Sequence, residues 1–152
     1  MSPPGHIHGQ VEALLANALV EAGQKQGHGT VSCGETGILL WRNPDRVVGA
    51  DVLFITAASL PARHTREGYL ETIPDLVVEV VSKNDTQPYI ERKVGDYLRA
   101  GVRIVWVADP ETRTLTEHRR DAKPRIFSAG ESISLPELIP GLSLSLMEVF
   151  DF

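Results

Sequence analysis

A strand–helix–strand pattern between residues 74 and 108 constrains the fold more than any other feature. The run Leu76–Val81 is apolar except for Glu79, which is typical of a buried strand. Apolar residues at helical spacing follow it and end at Gly101, and Val102–Ala108 is a second apolar run. Two buried strands joined by a helix form a parallel pair with a right-handed crossover. The sequence therefore predicts a βαβ unit.

The rest of the chain completes an α/β pattern around this unit. In chain order, the sequence predicts a helix from about His8 to about Gly23, strands over Thr30–Trp41 and Ala50–Thr56, a loop over 57–73, an antiparallel extension over 112–134, and a short C-terminal helix within Leu135–Phe152. With 152 residues, we expect positions 1–152 to form a single domain.

The charge of the chain is acidic on average, with 20 acidic and 15 basic residues. This balance argues against nucleic-acid binding by bulk electrostatics. A basic stretch over 113–125 is more typical of a solvated hairpin, whereas Arg63, His64 and Arg66 in the predicted loop offer local positive charge. The single cysteine, Cys33, and the lack of a signal or membrane-spanning pattern predict a cytoplasmic protein.

Glu79 is the one charged residue in its strand, and an ionised carboxylate there is costly unless it is paired or binds a metal. Asp75 shares its face but lies about 13 Å away, at roughly 3.3 Å per residue, so the two cannot share an ion. Asp51 begins the apolar strand 51–55 and can lie beside Glu79 if the two strands are neighbours. Two carboxylates suit Mg²⁺, which prefers oxygen ligands. Lys93 lies at the edge of the apolar helix face, so its ammonium can reach inward and stabilise charge on a phosphate.

Each of these residues also has a structural explanation. Asp51 can cap a strand or turn, and Lys93 by itself is more typical of a helix surface. Asp75, after Pro74, is typical of the start of a strand. Pairing of Glu79 with a buried Arg or Lys is the less favoured explanation, because its neighbours on both sides are apolar. The prediction of a site therefore depends on the combination of Asp51, Glu79 and Lys93.

Several motifs carry a family resemblance. In chain order they are Ser2-Pro3-Pro4 with His8, Glu35-Thr36-Gly37, Asp51-Val52-Leu53-Phe54, Pro74-Asp75-Leu76-Val77-Val78-Glu79-Val80-Val81-Ser82, Asp85, Lys93, Tyr97, Gly101-Val102, Val105-Trp106-Val107-Ala108-Asp109-Pro110 and Leu138-Ile139-Pro140-Gly141-Leu142. With them the chain resembles, over nearly its whole length, the Uma-two family of putative restriction endonucleases in the PD-(D/E)XK nuclease superfamily. The resemblance implies a restriction-endonuclease-like αβββαβ core, with a mixed sheet flanked by helices and an antiparallel C-terminal extension.

The resemblance also implies a set of site residues. Asp51 and Glu79 match the metal-binding acids of the family, and Lys93 matches its catalytic lysine. Glu12 and Glu35 match auxiliary acids, although a solvated or structural role explains either of them.

Four departures from the usual pattern accompany the resemblance. The superfamily lysine normally stands two residues after the glutamate, where this chain has Val81, and in this family it stands on the next helix, at Lys93. Ala50 precedes Asp51 where relatives commonly have proline, and Tyr89 stands where aspartate is frequent. Relatives also carry an N-terminal segment before the Ser-Pro-Pro stretch, which we expect this chain to lack.

The leading hypothesis is a Mg²⁺-dependent endonuclease, with Mn²⁺ as the alternative ion, that hydrolyses DNA phosphodiester bonds. A homodimer follows by analogy with nucleases that cut duplex DNA. The alternative is a catalytically inactive binding or regulatory module that keeps the nuclease fold, which the acidic net charge favours. RNA as the substrate is not separable from DNA here, and a zinc hydrolase is disfavoured because the five histidines show no ligand spacing.

Overall fold

The computed structural model describes residues 4–60 and 67–152. Its first elements follow the order helix, three strands, helix and strand, which confirms the predicted αβββαβ core. The elements are α1 (His6–Leu19), which continues as a π-helical turn (Val20–Gln24), then β1 (Gly29–Trp41), β2 (Arg46–Thr56), β3 (Leu76–Val80), α2 (Gln87–Ala100), β4 (Ile104–Asp109), β5 (Thr114–Arg119), β6 (Arg125–Ser128), β7 (Ser132–Leu135), β8 (Ile139–Ser145) and α3 (Leu146–Val149).

Strands β1 to β6 form one mixed sheet in sequential order. Strands β3 and β4 run parallel, with Val78 opposite Trp106, and the other neighbours in this sheet are antiparallel. The βαβ prediction is therefore confirmed, and the β5–β6 hairpin is the predicted antiparallel extension. The basic stretch 113–125 lies on this hairpin, in agreement with its interpretation from the sequence as part of a hairpin.

The two faces of β3 pack against different layers. Leu76 and Val78 belong to the buried cluster that contains α1 and the β7–β8 pair, whereas Val77 belongs to the cluster on the α2 side. Alternation therefore places the Glu79 side chain on the same side as Val77, against α2. Helix α2 is held at both ends, because Thr86 accepts a hydrogen bond from the backbone N–H of Tyr89 and Gly101 ends the helix at a φ of 112°.

Two details differ from the expected elements. Strand β2 begins at Arg46, before the predicted Ala50, because its first residues pair with β1. The C-terminal segment contains a strand, β8, that was not predicted, and it pairs with β7, which begins within the predicted extension 112–134. Pro140 and Gly141 conceal this strand, since both residues normally interrupt strands, but Leu142 and Leu144 alternate into the core. None of the helices in the described ranges combines the length and apolar character needed to cross a membrane.

Two glycines in the fold should respond oppositely to alanine. A Cβ on Gly29 would lie 2.1 Å from the carbonyl oxygen of Ile55, so we expect Gly29→Ala to lower the free energy of unfolding by about 3 kcal/mol. Gly95 lies on the exposed face of α2 with no atom within 4 Å of an added Cβ, so Gly95→Ala should raise it by about 0.5–1 kcal/mol. Urea unfolding followed by circular dichroism measures both, and equal effects of the two variants would contradict the packing described.

Candidate metal and active site

The site lies where strand β2 separates from strand β3. The pairing between them ends at Val52 and Val78, so Asp51 and Glu79 are the first residues beyond the last pair. The N–H of Val81 donates to Ala108 of β4, and the N–H of Val80 therefore points toward β2. There it donates to Oδ2 of Asp51 at 2.8 Å. The Asp51 carboxylate thus replaces a backbone acceptor that the departing strand no longer supplies.

Glu79 is held by two side chains of α2. Its Oε1 atom accepts a hydrogen bond from the hydroxyl of Tyr97 at 2.5 Å and lies 3.1 Å from Nζ of Lys93. Glu79 is only 5% exposed, so both contacts form away from bulk water. Glu79 is therefore paired with a buried lysine, although the apolar sequence around it had made such a pair the less favoured explanation. The partner is Lys93, which is itself one of the predicted site residues.

Lys93 reaches inward from α2. Its ammonium donates to the carbonyl oxygen of Gly49 at 3.1 Å as well as contacting Glu79, and the residue is buried. The ring of Tyr89 lies 5.7 Å from the same ammonium. Tyr89 therefore adds an aromatic contact to the ammonium, while Thr86 supplies the helix cap. A lysine held in this way is an ordered positive charge beside the carboxylates. The catalytic role of Lys93 stays a prediction.

Burial is the main influence on the pKa values of this group. Burial raises the pKa of Glu79 from its usual 4.5 to about 7, although Lys93 opposes the rise, and the charge of Asp51 adds to it. Burial also raises the pKa of Tyr97, and the Glu79 carboxylate raises it further, so the hydroxyl stays protonated and donates. Burial by itself lowers the pKa of Lys93, but the attraction of Glu79 outweighs it and the net pKa is raised.

A second group of ligand-type side chains surrounds the other side of Asp51. His8, Glu12 and Asp51 place one candidate ligand atom each within 4.8 Å of one another. His8 Nε2 lies 3.4 Å from Asp51 Oδ2, and His8 Nδ1 lies 3.7 Å from Glu12 Oε2. The other oxygen of Glu12 accepts from the N–H of Gly34 at 3.1 Å, where an irregularity in β1 turns the strand toward α1.

The pKa values of both α1 residues respond to this crowding. The hydrogen bond to Asp51 raises the pKa of His8, although burial opposes the rise. Burial raises the pKa of Glu12, and the charge of Asp51 adds to the rise. The carboxylates therefore repel one another, and a cation between them would be stabilised.

His8 is the member of the site that the sequence did not predict. The sequence prediction considered spacing among the histidines alone and did not consider His8 with Glu12, which lies four residues later on the same helix face. That spacing was the available signal. The contact with Asp51, 43 positions away along the chain, has no local signal at all.

The remaining candidates lie apart from this centre or outside the described residues. Glu35 is exposed at the β1 irregularity with a φ of 59°, and its charge contributes only to the raised pKa of Glu12. Asp75 accepts from the N–H of Thr56 at 2.8 Å and from Ser59 Oγ at 3.1 Å, at the opposite end of β3. Asp75 therefore anchors the chain after β2. The loop residues Arg63, His64 and Arg66 lie outside the described residues.

Comparison with known proteins gives a family match over most of the chain. The model of the Uma2 family, described as a putative restriction endonuclease, matches residues 1–147. A solved structure of similar fold is that of a putative nuclease belonging to DUF820 from Anabaena variabilis ATCC 29413. The two share 17% sequence identity over 99% of this chain and 83% of that chain, with a TM-score of 0.83. At this identity the likeness concerns the fold alone. No curated protein matches the chain.

The raised pKa of Glu79 predicts a pH dependence of stability in metal-free protein. Between pH 4.5 and about 7 the folded state holds a proton on Glu79 that the unfolded chain has released, so the free energy of unfolding falls as pH rises through this window. In Glu79→Gln this contribution is absent. We therefore expect the wild type to lose stability relative to Glu79→Gln, by at most about 3 kcal/mol, with no further change at higher pH.

Urea unfolding in EDTA at pH 5, 6, 7 and 8 measures this difference. Comparison with the isosteric variant at each pH removes the contribution of His8 and of other groups common to both proteins. A wild-type-minus-variant difference that stays constant from pH 5 to 8 would show that Glu79 titrates normally.

Proposed function

The chain belongs to the Uma2 family of putative restriction endonucleases, and from this premise we propose that it hydrolyses phosphodiester bonds of DNA in a reaction that depends on a divalent cation. The observation that carries the proposal is the buried Glu79 carboxylate, held by Lys93 and Tyr97 beside Asp51 where β2 and β3 separate. A structural carboxylate gains nothing from a position that raises its pKa to about 7. A carboxylate that binds a cation gains from the same position.

A divalent ion bound by Asp51 and Glu79 would use the carboxylate oxygens that the protein leaves unoccupied. Oδ2 of Asp51 is occupied by Val80 and His8, and Oε1 of Glu79 by Tyr97 and Lys93. Within residues 4–60 and 67–152, the second oxygen of each carboxylate makes no hydrogen bond. Each acid therefore offers one oxygen, which suits Mg²⁺ or, alternatively, Mn²⁺. When bound, such an ion polarises a phosphoryl oxygen and lowers the pKa of bound water.

The protein side chains would contribute orientation and charge. Lys93 holds an ammonium 3.1 Å from Glu79, where it can stabilise negative charge that builds on a phosphate in the transition state. Tyr97 fixes the direction of the Glu79 carboxylate through its short hydrogen bond. Because Glu79 and Lys93 are both buried, these charges act in a medium less polar than water and are stronger there.

The proposal needs only local electrostatic attraction for DNA. The net charge of −5 opposes the approach of a phosphate backbone over the molecule as a whole. A bound divalent ion together with Lys93 would provide a positive centre inside this acidic surface. Binding of DNA should therefore be weak without the metal ion.

A plasmid-nicking assay with Mg²⁺ or Mn²⁺ tests the proposal. We expect wild type to convert supercoiled DNA to open-circular or linear DNA, and Glu79→Gln, Asp51→Asn and Lys93→Met each to reduce the rate by about 100-fold or more. Asp75→Asn is the matched control, since Asp75 is also a buried acid of the same strand region but binds Thr56 and Ser59 instead. Circular dichroism must show that every variant is folded.

The outcomes separate an enzyme from a non-catalytic module. Cleavage by Glu79→Gln at the wild-type rate would contradict the proposed site. Cleavage by no folded form of the protein, on plasmid DNA or on single-stranded DNA or RNA, would instead favour an inactive module that keeps the nuclease fold.

A further inference from the structure

His8 contains the one buried side-chain nitrogen or oxygen in the described residues that has no hydrogen-bond partner. The atom is Nδ1, and the residue is only 7% exposed. An unpartnered polar atom in such a place destabilises the folded state, because it has lost its hydrogen bond to water without gaining another. Nδ1 faces Oε2 of Glu12 across 3.7 Å, which is too long for a hydrogen bond. A proton or a cation between these two atoms would therefore be stabilised.

The contacts of the other ring nitrogen indicate which of the two it is. Nε2 of His8 faces the carboxylate of Asp51 at 3.4 Å, and a carboxylate accepts hydrogen bonds but does not donate. The proton of a neutral imidazole therefore belongs on Nε2. Nδ1 is then left with a lone pair directed at the oxygen of Glu12. Histidines that bind metals in proteins commonly have this form, with the other ring N–H donated to a carboxylate.

We propose that His8 Nδ1 and Glu12 bind a first-row transition-metal ion, with Mn²⁺ preferred over Mg²⁺, while Asp51 accepts the proton on Nε2 of His8 and orients the ring. This inference deepens the proposed function, on which it rests through the shared residue Asp51, by naming the class of ion at this centre. An imidazole nitrogen strengthens the binding of transition ions, whereas Mg²⁺ selects oxygen ligands. The nitrogen ligand is what separates this group from the Asp51–Glu79 pair.

The distances suit one shared ion. Two ligand atoms each about 2.1 Å from an ion lie roughly 3.0–4.2 Å apart, depending on the angle between them. His8 Nδ1 and Glu12 Oε2 are 3.7 Å apart, within this range. These two atoms can therefore hold one ion between them, with water in its remaining positions.

The surrounding structure holds the ligands and Asp51 in place without an ion. Glu12 is fixed by the N–H of Gly34, and Asp51 by the N–H of Val80. Helix α1 is anchored by Val11 and Leu15, which are buried between and beside the two ligand positions. The site is consequently preorganised, and binding should not require the helix to form or move.

The experiment uses the whole chain without a polyhistidine tag, stripped of metal by EDTA and dialysed. Titration calorimetry at pH 7.5 compares MnCl₂ with MgCl₂, and electron spin echo measurements on bound Mn²⁺ detect coupling to an imidazole ¹⁴N. We expect Mn²⁺ to bind at least about 10-fold more tightly than Mg²⁺, with ¹⁴N coupling present. His8→Gln should remove the coupling and weaken Mn²⁺ binding by about 10-fold or more.

His6→Gln is the matched control, because His6 lies on the same helix and is exposed. It should change neither the ¹⁴N coupling nor the affinity. If His8→Gln does not fold, Glu12→Gln tests the same site, with weaker Mn²⁺ binding expected while the imidazole stays present.

Equal affinity for the two ions, absence of ¹⁴N coupling in wild type, or coupling that persists in His8→Gln would each overturn the inference. Absence of coupling in wild type would mean that a second proton on His8, not an ion, lies between the imidazole and Glu12. Persistence of coupling in His8→Gln would mean that a different histidine binds Mn²⁺. Cleavage of DNA without ¹⁴N coupling would leave the proposed function standing and remove this site. Coupling without cleavage would do the reverse.

Discussion

The hydrogen bond from the N–H of Val80 to the Asp51 carboxylate is the contact on which the candidate site depends. A strand that leaves a sheet exposes unpaired backbone groups, and in a buried region each costs free energy. Here an acid on the departing strand satisfies the exposed donor on the strand that remains. The same contact fixes one carboxylate at the separation point, with His8 of α1 on one side and Glu79 in front of α2. Both candidate metal-binding groups are built on this one side chain.

Charge balance links the two groups through Asp51. Three carboxylates, from Glu12, Asp51 and Glu79, meet one lysine and one histidine in a largely buried region. Burial raises the pKa values of Glu12 and Glu79, and the charge of Asp51 adds to both shifts. A cation bound at either group would lower the pKa values of Glu12 and Glu79, so occupancy of one group changes the affinity of the other.

The sequence predicted the parts of this arrangement that follow from periodicity and from the cost of burial. The βαβ unit, the strand that carries Glu79 and the inward position of Lys93 each follow from patterns within about 15 residues. Strand β8 escaped prediction because Pro140 and Gly141 resemble a loop, and its hydrophobic alternation is visible only in Leu142 and Leu144. His8 escaped because its burial and its contact with Asp51 depend on how α1 packs across β2, which no local pattern encodes.

The position of Lys93 changes what holds the site together. A lysine at position 81 would be placed by strand β3 itself, two residues beyond Glu79 on the same face. Val81 instead joins the apolar cluster on the α2 side, and the ammonium arrives from the helix. Tyr97 follows Lys93 by four residues, so one face of α2 supplies both donors to Glu79. Because the two donors share a helix, they cannot adjust to the carboxylate independently. Val94 is buried beneath that face and holds α2 against the sheet. Its packing therefore helps to fix the position of the Glu79 carboxylate, as strand β3 also does.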